Sequence, residues 1–341
     1  MKVSVIILNW NGEALLKRYL PSVVEHTLCS KEVEVVVADN GSTDDSLRFL
    51  ETNYPQVRIL NLFENHGFAQ GYNLALEHLD SQYAVLLNSD VEVTEGWLEP
   101  LIAYMDEDET VGACQPKIRA LRARAHFEHA GASGGFMDAL GYPFCRGRIL
   151  QHVEADFGQY DNVVDVFWAT GACLCVRTAL YRNSGGLDKH FFAHMEEIDL
   201  CWRLRSRGIR VVVVPQSTIY HLGGATLQKE NPHKTFLNYR NNLLMIYKNM
   251  PSNALFRILM LRFFLDHASA LVFLLTGKPN DAIAVWRARL AFWKMRPLYR
   301  DLRKSNLAQH VLPIIPEMMK GSLLFMYYFR GIKTFDRLKR F

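Results

Sequence analysis

The sequence has little of what a disulfide-rich or zinc-binding protein needs. Its six cysteines form no Cys-x-x-Cys pair and stand mostly in apolar surroundings. We therefore expect buried free thiols in a reducing compartment, not disulfide bridges or a zinc site. No basic and then apolar signal sequence opens the chain, because a strand-like run begins at Val3. Both absences predict a cytoplasmic location.

Two phosphate-binding signatures are also missing. The chain contains neither Gly-x-x-x-x-Gly-Lys-Ser/Thr nor Gly-x-Gly-x-x-Gly, so P-loop chemistry and nicotinamide dinucleotide binding lack support. Residues 65–73 (NHGFAQGYN) instead predict a loop that opens into a helix. Gly67 and Gly71 would allow a close backbone approach there, and the start of the helix would offer free N–H groups to an anion.

No run of about 18 apolar residues is free of charge, which argues against a membrane-spanning helix. Charged residues and a histidine interrupt the most apolar stretch, residues 254–276. Basic helices rich in Phe, Leu and Trp are typical of the membrane interface. The C-terminal third supplies such aromatics at Trp286, Trp293, Phe325, Tyr327, Tyr328 and Phe329. An ordinary helical subdomain packed on the rest of the chain is the alternative.

Positive charge is concentrated towards one end of the chain. Residues 1–239 hold 21 Lys and Arg against 30 Asp and Glu, whereas residues 240–341 hold 18 against 5. A basic C-terminal third indicates an anionic partner. We take this partner to be a membrane surface, with no nucleic acid expected, and a solvated basic tail is the alternative.

The first half of the chain alternates apolar runs with amphipathic stretches. Strands are predicted at 3–8, 33–38, 57–60 and 83–87, with helices over 14–26 and 68–79 and a further helix after a cap at Thr43 or Asp44. Strands that alternate with helices predict an α/β protein whose largely parallel sheet is covered on both faces.

The second half has a less regular pattern. Residues 117–162 are rich in Gly, Arg and aromatics and predict a long irregular stretch of functional or mobile character. Strands are predicted at 163–168, 172–176 and 210–214, the last stopped by Pro215, and a helix at 196–206. From Asn241 onward the pattern is helical.

Polar residues follow four of the strand-like runs. They are Asn9 to Gly12, Asp39, Asn88 to Asp90, and His221. In a doubly wound sheet such strand ends converge on one crevice. The alternative for each is an ordinary polar turn or a structural histidine.

These residue types suit the binding of a nucleotide and a metal ion. Asp39 has the chemistry to accept hydrogen bonds from a nucleobase or ribose, or, as a turn residue, from the backbone of Gly41 or Ser42. Asp90 is an oxygen ligand of the kind that suits Mg²⁺ or Mn²⁺ holding a diphosphate. His221 would complete such a site because imidazole nitrogen tolerates manganese.

Residues 195–199 (MEEID) place three acids within four positions. On a helix Glu196 and Asp199 share a face, while Glu197 points elsewhere. Crowded carboxylates raise one another's pKa, which suits one of them to accept a proton near neutral pH. The alternative is a solvated helix start in which Asp199 pairs with Arg203 at i+4.

Taken together, these segments resemble the family 2 glycosyltransferases, in particular their rhamnosyltransferase-like branch. The matching pieces occur in the family's order over roughly residues 1–245, and Arg240-Asn241-Asn242 resembles the family's closing segment. The pieces are VSVIILNWNG (3–12), VVADNGSTDDS (36–46), ENHGFAQGYNLAL (64–76), LLNSDVEV (86–93), TGACLCVR (170–177), GGLDKHFFAHMEEIDLCWRLRSRG (185–208) and HLGGAT (221–226).

The resemblance implies a GT-A catalytic domain over residues 1–245, with a mostly parallel Rossmann-like sheet, followed by a basic, aromatic helical region over 246–341. It implies Asp90 and His221 as metal ligands, with Asn88 in place of the first acid of the family's Asp-x-Asp motif. Glu196-Glu197 matches the family's Glu-Asp pair, whose second member is the catalytic base. Since Glu197 is one methylene longer than the family's Asp, both Glu197 and Glu196 are candidates for the base. The remaining residues that it implies for nucleotide and donor binding are Asn9, Asn11, Gly12, Asp39, Ser42, Asn65, Gly67, Asn73, Asn88 and Ser89.

The function that follows is an inverting, metal-dependent glycosyltransferase of the hexosyltransferase type. The donor would be a UDP- or dTDP-sugar, dTDP-rhamnose among them, and the cofactor Mg²⁺ or Mn²⁺. The acceptor would be a glycan or polyprenyl-linked hydroxyl in surface polysaccharide synthesis at the inner face of the cell membrane, contacted by residues 119–165 and in particular 141–148. A sugar-phosphate nucleotidyltransferase and a non-catalytic membrane-surface or nucleic-acid-binding protein are the alternatives.

Overall fold

The computed structural model describes residues 1–223, 231–312 and 314–338. Their strands form one ten-stranded and one five-stranded sheet. The strands are β1 Val3–Asn9, β2 Val33–Asp39, β3 Arg58–Asn61, β4 Tyr83–Leu87, β5 Val91–Val93, β6 Val111–Ala120, β7 Ala123–Phe127, β8 Gly135–Asp138, β9 Pro143–Cys145, β10 Arg148–Ile149, β11 His152–Val153, β12 Val164–Asp165, β13 Cys173–Arg177, β14 Arg210–His221 and β15 Met318–Met319.

Helices occupy both the connections of the large sheet and most of the C-terminal part. Short 3₁₀ turns lie at Lys189–Phe191 and Arg296–Tyr299. The helices are α1 Glu13–Thr27, α2 Ser46–Asn53, α3 Gly67–Glu77, α4 Glu99–Glu107, α5 Thr178–Asn183, α6 Glu196–Ser206, α7 Pro232–Asn249, α8 Ser252–Leu275, α9 Pro279–Met295, α10 Arg300–Ala308, α11 Leu323–Tyr328 and α12 Phe335–Leu338.

The large sheet has the order β12-β14-β6-β13-β4-β1-β2-β3, with β5 beside β14 and β7 beside β6. Strands β3, β2, β1 and β4 are parallel, as are β6 and β14. Strand β13 lies antiparallel between β4 and β6. The predicted α/β sheet is therefore present but mixed, because β13 enters it from the opposite direction.

Each central strand is buried on both faces. In β1, Val5 and Ile7 belong to the apolar core beside α1, whereas Ile6 belongs to the core beside α3 and α6. A strand covered on both faces must be apolar throughout, which explains the uninterrupted run in the sequence. Because β1, β2 and β4 are parallel neighbours, their carboxyl ends lie side by side at one edge of the sheet.

The prediction of an irregular stretch at 117–162 is wrong. Within the described residues it contains β6 to β11, and the smaller sheet has the order β11-β10-β9-β8-β15. Four of these strands are only two to four residues long, so they leave no periodicity in the sequence.

The prediction that Pro215 stops a strand is also wrong. Strand β14 runs on to His221, and its register against β6 shifts between Val214 and Thr218. A proline is tolerated within a strand at such a bulge because the missing N–H has no ladder position to fill. The continuation matters because it delivers His221 to the sheet edge.

The predicted boundary between residues 245 and 246 falls inside α7. Leu243, Leu244, Met245 and Ile246 lie in one apolar cluster that also holds residues of the C-terminal helices and of the large sheet. The helices after α7 are therefore packed against the large sheet through a shared core.

Candidate active site

Asp90 and His221 meet where β4 and β14 end. Strand β5 pairs antiparallel with β14 so that His221 lies opposite Val91, the residue after Asp90. His221 Nε2 lies 3.1 Å from Asp90 Oδ1, and the Asn88 side-chain nitrogen lies 3.5 Å from the same imidazole nitrogen. Ser89, between them, is half-buried. The structure thus brings together the two residues predicted to hold a metal.

Glu128 is a member of this corner that the sequence did not reveal. Its Oε2 lies 3.5 Å from His221 Nδ1, at the outer limit of a hydrogen bond, so the contact is mainly electrostatic. The carboxylate is buried and accepts the backbone N–H of Ala130. Glu128 stands in a stretch without motif or periodicity. It directly follows β7, and the pairing of β7 with β6 and of β6 with β14 brings it to His221.

The charges of this corner stabilise one another. Burial alone would lower the pKa of His221, but Asp90 and Glu128 raise it to about 10. Burial would raise the pKa of both carboxyls, yet the imidazole holds the pKa of Asp90 and of Glu128 below its ordinary value. The carboxylates of Asp90 and Glu128 are therefore kept ionised on either side of the His221 imidazole, which carries the positive charge.

The same residues fit a hard divalent cation. Asp90 would supply a carboxylate oxygen, and His221 an imidazole nitrogen once the ion has displaced the proton of Nε2. Glu128 on the far side of the ring would fix its orientation. Within the described ranges no group of three His, Cys, Asp or Glu residues surrounds a common point. A pair of protein ligands leaves positions for phosphate oxygens and water, as Mg²⁺ commonly requires.

The turns after β1 and β2 are locked to each other by side chains. The Asn9 amide donates to Asp39 Oδ1 and to Ser42 Oγ, both at 3.1 Å, and the Ser42 N–H donates to Asp39 Oδ2 at 2.9 Å. The Asn11 N–H also donates to Ser42 Oγ. A side chain at Gly12 would overlap that of Asn9, so glycine is needed there. Asp39 thus has the turn role considered for it, and its free lone pairs leave a nucleoside role open.

The start of α3 does not offer free N–H groups, contrary to the prediction. The Phe192 carbonyl accepts the N–H groups of Phe68 and Ala69, and Asn65 Oδ1 accepts that of Gly67. Glycine is needed at position 67 because φ is +75° and a Cβ would overlap the Phe192 ring.

Asn73 is also engaged by the fold. Its amide donates to the Leu187 carbonyl at 2.8 Å, and its oxygen accepts the Tyr181 hydroxyl and the Leu187 N–H. With these groups satisfied, Asn73 braces the chain before the acidic helix. We therefore leave Asn65, Gly67 and Asn73 out of the donor site proposed below.

The three acids at the start of α6 have different surroundings. Asp199 is buried and pairs with Arg203 at 3.1 Å and with Lys248 at 2.8 Å. This pairing is the structural role considered for Asp199. Glu196 and Glu197 have no basic partner among the described residues, and one shielded carboxyl oxygen of each lacks a hydrogen-bond partner.

This difference sets their proton affinities. Burial, and for Glu196 also the charge of Glu197, raise the pKa of both carboxyls, whereas Lys248 and Arg203 lower that of Asp199 against the effect of its burial. Glu196 is buried, but Glu197 is partly exposed. Glu197 is therefore the less buried of the two residues, and its carboxyl is suited to take a proton.

Residues 171 and 172 lie between Glu197 and the metal corner, which consists of Asp90, Glu128 and His221. The Asn88 N–H donates to the Ala172 carbonyl at 3.0 Å. A Cβ at Gly171 would stand 3.8 Å from the Glu197 carboxyl carbon. Asp90, Glu128 and His221 form one acidic pocket, and Glu196 and Glu197 form the other. The two acidic pockets therefore lie on either side of the backbone at residues 171 and 172.

The loop that precedes Glu196 is strained and clamped. Phe192, His194 and Met195 all have positive φ, which is uncommon for such residues. The buried side-chain nitrogen of Asn241 donates to the carbonyls of Phe191, Ala193 and His194 at 2.8–2.9 Å. Asn241 thereby holds the backbone that presents the two glutamates, a role that its place in the family's closing segment did not reveal.

Known sequences similar to this chain are glycosyltransferases. A family model described as Glycosyl transferase family 2 matches residues 4–163. The N-acetylglucosaminyl-diphospho-decaprenol L-rhamnosyltransferase of Mycobacterium tuberculosis is 27% identical over 232 residues, which cover 64% of this chain and 75% of the relative.

Solved structures share the fold. The crystal structure of GalNAc-T7 with UDP, GalNAc and Mn²⁺ matches with a TM-score of 0.58 at 18% identity, covering 73% of this chain and 48% of the other. That of S. aureus TarS 1-349 in complex with UDP-GlcNAc gives 0.54 at 19% identity, covering 91% of this chain and 89% of the other.

The fold is that of the GT-A glycosyltransferases, and the sequence matches identify the chain as a glycosyltransferase. In sequence the chain is similar to glycosyltransferase family 2 over residues 4–163, and to a rhamnosyltransferase over 64% of its length. The nucleotidyltransferase and the non-catalytic binding protein are thereby set aside. Of the family's segment at 221–226, residues 224–226 lie outside the described residues.

Proposed function

We propose that the enzyme transfers a sugar, with inversion, from a nucleoside diphosphate sugar to a hydroxyl group, using a divalent cation held by Asp90 and His221. The observation that supports this most is the placing of two unlike acidic pockets on either side of residues 171–172. One pocket keeps its carboxylates ionised for a cation, and the other keeps a carboxylate receptive to a proton.

The donor site that we propose lies along the strand ends. The locked turns with Asn9, Asn11, Gly12, Asp39 and Ser42 would receive the nucleoside, and Asn88 and Ser89 would lie beside the diphosphate. Carboxylate and amide acceptors at the base-binding edge suit the imide N–H that uracil and thymine share. UDP- and dTDP-sugars, dTDP-rhamnose among them, are therefore the proposed donors.

The metal corner serves the leaving group. When bound, Mg²⁺ or Mn²⁺ offsets the negative charge that develops on the leaving diphosphate, so no general acid is needed. Asp90 Oδ1 and His221 Nε2 are the atoms that would hold it. Glu128 would keep the imidazole ring in the orientation that directs Nε2 to the ion.

Glu197 serves the nucleophile. It accepts the proton of the acceptor hydroxyl while the hydroxyl oxygen forms a bond to the anomeric carbon. The bond from that carbon to the diphosphate oxygen breaks, and the nucleoside diphosphate leaves with the electron pair. Attack from the face opposite the leaving group inverts the configuration. Glu197 fits this role better than Glu196 because it is partly exposed and contacts Gly171.

The acceptor that we propose is a glycan or polyprenyl-linked hydroxyl in surface polysaccharide synthesis, reached by peripheral binding to the inner face of the cell membrane. The name of the mycobacterial relative, which specifies a decaprenol-linked acceptor, supports this class. The predicted contact through residues 141–148 is not supported, because Phe144 to Arg148 are buried and Arg146 bonds to Ser133 and to the carbonyls of Tyr160 and Asn162.

Product analysis tests the proposal. Purified enzyme would be incubated with UDP- and dTDP-sugars, a short polyprenyl diphosphate-linked glycan and Mn²⁺, and the anomeric configuration of the product determined by NMR. We expect release of nucleoside diphosphate, an inverted linkage and loss of turnover with a chelator. A retained linkage, or equal turnover with chelator, would contradict the mechanism.

A further inference from the structure

Helix α8 exposes apolar side chains along most of its length. By length and composition it is the one helix in the part of the chain that the structure describes that is suited to cross a bilayer. Phe256 is 79% exposed, Phe264 64% and Leu275 78%. An exposed apolar surface of this extent on a folded chain indicates contact with another apolar phase.

The charges in the middle of α8 face the protein. Arg262 and Asp266 are buried and paired at 3.2 Å, and Asp266 also pairs with Arg289 of α9 at 2.6 Å. Ile258, Arg262, Asp266 and Ala270, the buried residues of the helix, recur at every fourth position. One stripe therefore packs inward, which leaves an apolar outer face.

Arg262 also ties the centre of α8 to the catalytic part. Its guanidinium donates to the Leu140 carbonyl at 3.0 Å and to the Asn242 side chain, and lies 4.2 Å from the centre of the Tyr142 ring. To cross a bilayer, α8 would have to leave these contacts and carry Arg262 and Asp266 into hydrocarbon, which is strongly unfavourable. The helix therefore lies along the globular part.

The apolar surface continues onto α9. The Trp286 ring lies 5.1 Å from that of His267 on α8 and is 56% exposed. Ile283, Leu290 and Trp293 are exposed on the same face, at spacings of three or four residues. Tryptophan at the edge of an apolar surface is typical of helices that lie at a membrane interface.

Exposed charge around this surface is positive. Arg257, Arg287 and Lys294 are exposed, whereas the two acids of α8 and α9, Asp266 and Asp281, bond to protein groups. This arrangement complements an anionic lipid surface, to which each exposed basic residue adds about fivefold in affinity.

We propose that α8 and α9 form a monotopic docking surface, which lies in the plane of an anionic bilayer and inserts its apolar face without spanning. Such helices enter the headgroup and acyl boundary by about 5–10 Å, and α8, with 24 residues, would extend for about 36 Å along it. The inference rests on the proposed function in one respect, namely that the acceptor is presented by a membrane.

Vesicle co-sedimentation of the full chain tests this surface without donor or acceptor, so its outcome is independent of sugar transfer. Vesicles of phosphatidylcholine alone would be compared with vesicles containing phosphatidylglycerol. We expect binding to the anionic vesicles, lowered about tenfold or more by the double substitution Phe264→Asp and Leu271→Asp, since each removes an inserted apolar side chain. Phe157→Asp, at an 88% exposed phenylalanine of the catalytic part, is the matched control and should bind as the unmodified chain does.

Three results would overturn the proposal. The first is equal binding by the double variant and the unmodified chain. The second is resistance of the bound protein to extraction at alkaline pH, which would indicate that α8 spans the bilayer. The third is self-association in the absence of lipid that the double variant abolishes, because a second copy of the chain would then cover this face. Arg287→Gln and Lys294→Gln should each reduce binding to anionic vesicles about fivefold and leave binding to neutral vesicles unchanged.

Discussion

The two acidic pockets of this enzyme use the same functional group in opposite ways. Asp90 and Glu128 flank the His221 imidazole, which lowers their pKa despite burial. Glu196 and Glu197 are shielded without a basic partner, and burial raises their pKa. The comparison teaches that the charged partner, rather than burial alone, decides whether the pKa of a buried carboxyl is lowered or raised.

Helix α6 makes the same comparison within one turn. Asp199 is as deeply buried as Glu196, but Lys248 and Arg203 keep it ionised. Asp199 thus anchors α6 through its ion pairs, whereas the charges of Glu196 and Glu197 are not compensated by a basic side chain among the described residues. An unpaired buried carboxylate is retained at a cost in stability, which is expected only where function requires it.

Removal of the proposed base should have the largest effect. Glu197→Gln keeps the shape of the side chain but cannot accept a proton, so we expect kcat to fall by about 10²–10⁴-fold. Affinity for the nucleoside diphosphate, measured by calorimetry, should stay unchanged. Glu109→Gln, at an exposed glutamate, is the control and should retain full activity. Undiminished kcat in the Glu197 variant would remove this residue from the mechanism.

Loss of the metal-side carboxylate should be nearly as severe. Asp90→Asn weakens the hold on the cation that stabilises the leaving diphosphate, so we expect kcat/KM to fall by about 10²-fold or more. Excess Mn²⁺ should recover part of the activity. Asp80→Asn, whose side chain is fully exposed, is the control. A variant that titrates with Mn²⁺ as the unmodified enzyme does would contradict the assignment of Asp90.

Loss of the hydrogen bonds from Asn241 should affect catalysis only through the position of Glu196 and Glu197. Asn241→Ala removes the donor shared by three carbonyls before Glu196, so we expect kcat to fall about 10–100-fold, because small misplacements of a reacting group are costly. Donor KM should change little. A purely structural role would instead lower the melting temperature and leave kcat per folded molecule intact.

The acid limb of the pH profile should reveal the raised pKa of Glu197. The base works only when ionised, so kcat/KM at saturating Mn²⁺ should decline as pH falls through a pKa above 4.5, the ordinary value for glutamate. Glu197→Asp should shift this limb, whereas Asn241→Ala should lower the whole profile. A profile that stays flat down to pH 4.5 would indicate that Glu197 is solvated.

The smallest effect that we predict concerns stability. Glu196 has a folded pKa above its unfolded value, so its contribution is favourable at low pH and is lost as pH rises through the folded pKa. Glu196→Gln should therefore raise the free energy of unfolding at pH 8 by about 0.5–2 kcal/mol, and by less at pH 5. Equal changes at both pH values in urea titrations would contradict this view of the pocket.

Local patterns predicted the parts of the fold that local sequence determines. The strand at 83–87 and the helix at 196–206 have the predicted bounds, because an apolar run and an acid-rich helix start are signals contained within each segment. The neighbouring positions of Asp90 and His221 followed from the rule that strand ends converge in such sheets.

What could not be predicted depends on contacts distant in sequence. Glu128 reaches His221 because β7 pairs with β6, and because β14 passes Pro215 through a bulge and pairs with the other edge of β6. The N–H groups at the start of α3 are taken by the Phe192 carbonyl, which is far away in the chain. The sequence around His221 carries no pattern that indicates Glu128, and the sequence at the start of α3 carries none that indicates Phe192.

Titration of Mn²⁺ by electron paramagnetic resonance, with nucleoside diphosphate present, tests the division between the two pockets most directly. The unmodified enzyme and Glu197→Gln should bind the ion with equal affinity, although only the former transfers sugar, whereas Asp90→Asn should bind it at least tenfold more weakly. Equal Mn²⁺ affinity in Asp90→Asn, or its loss in Glu197→Gln, would contradict the separation of cation and proton between these carboxylates.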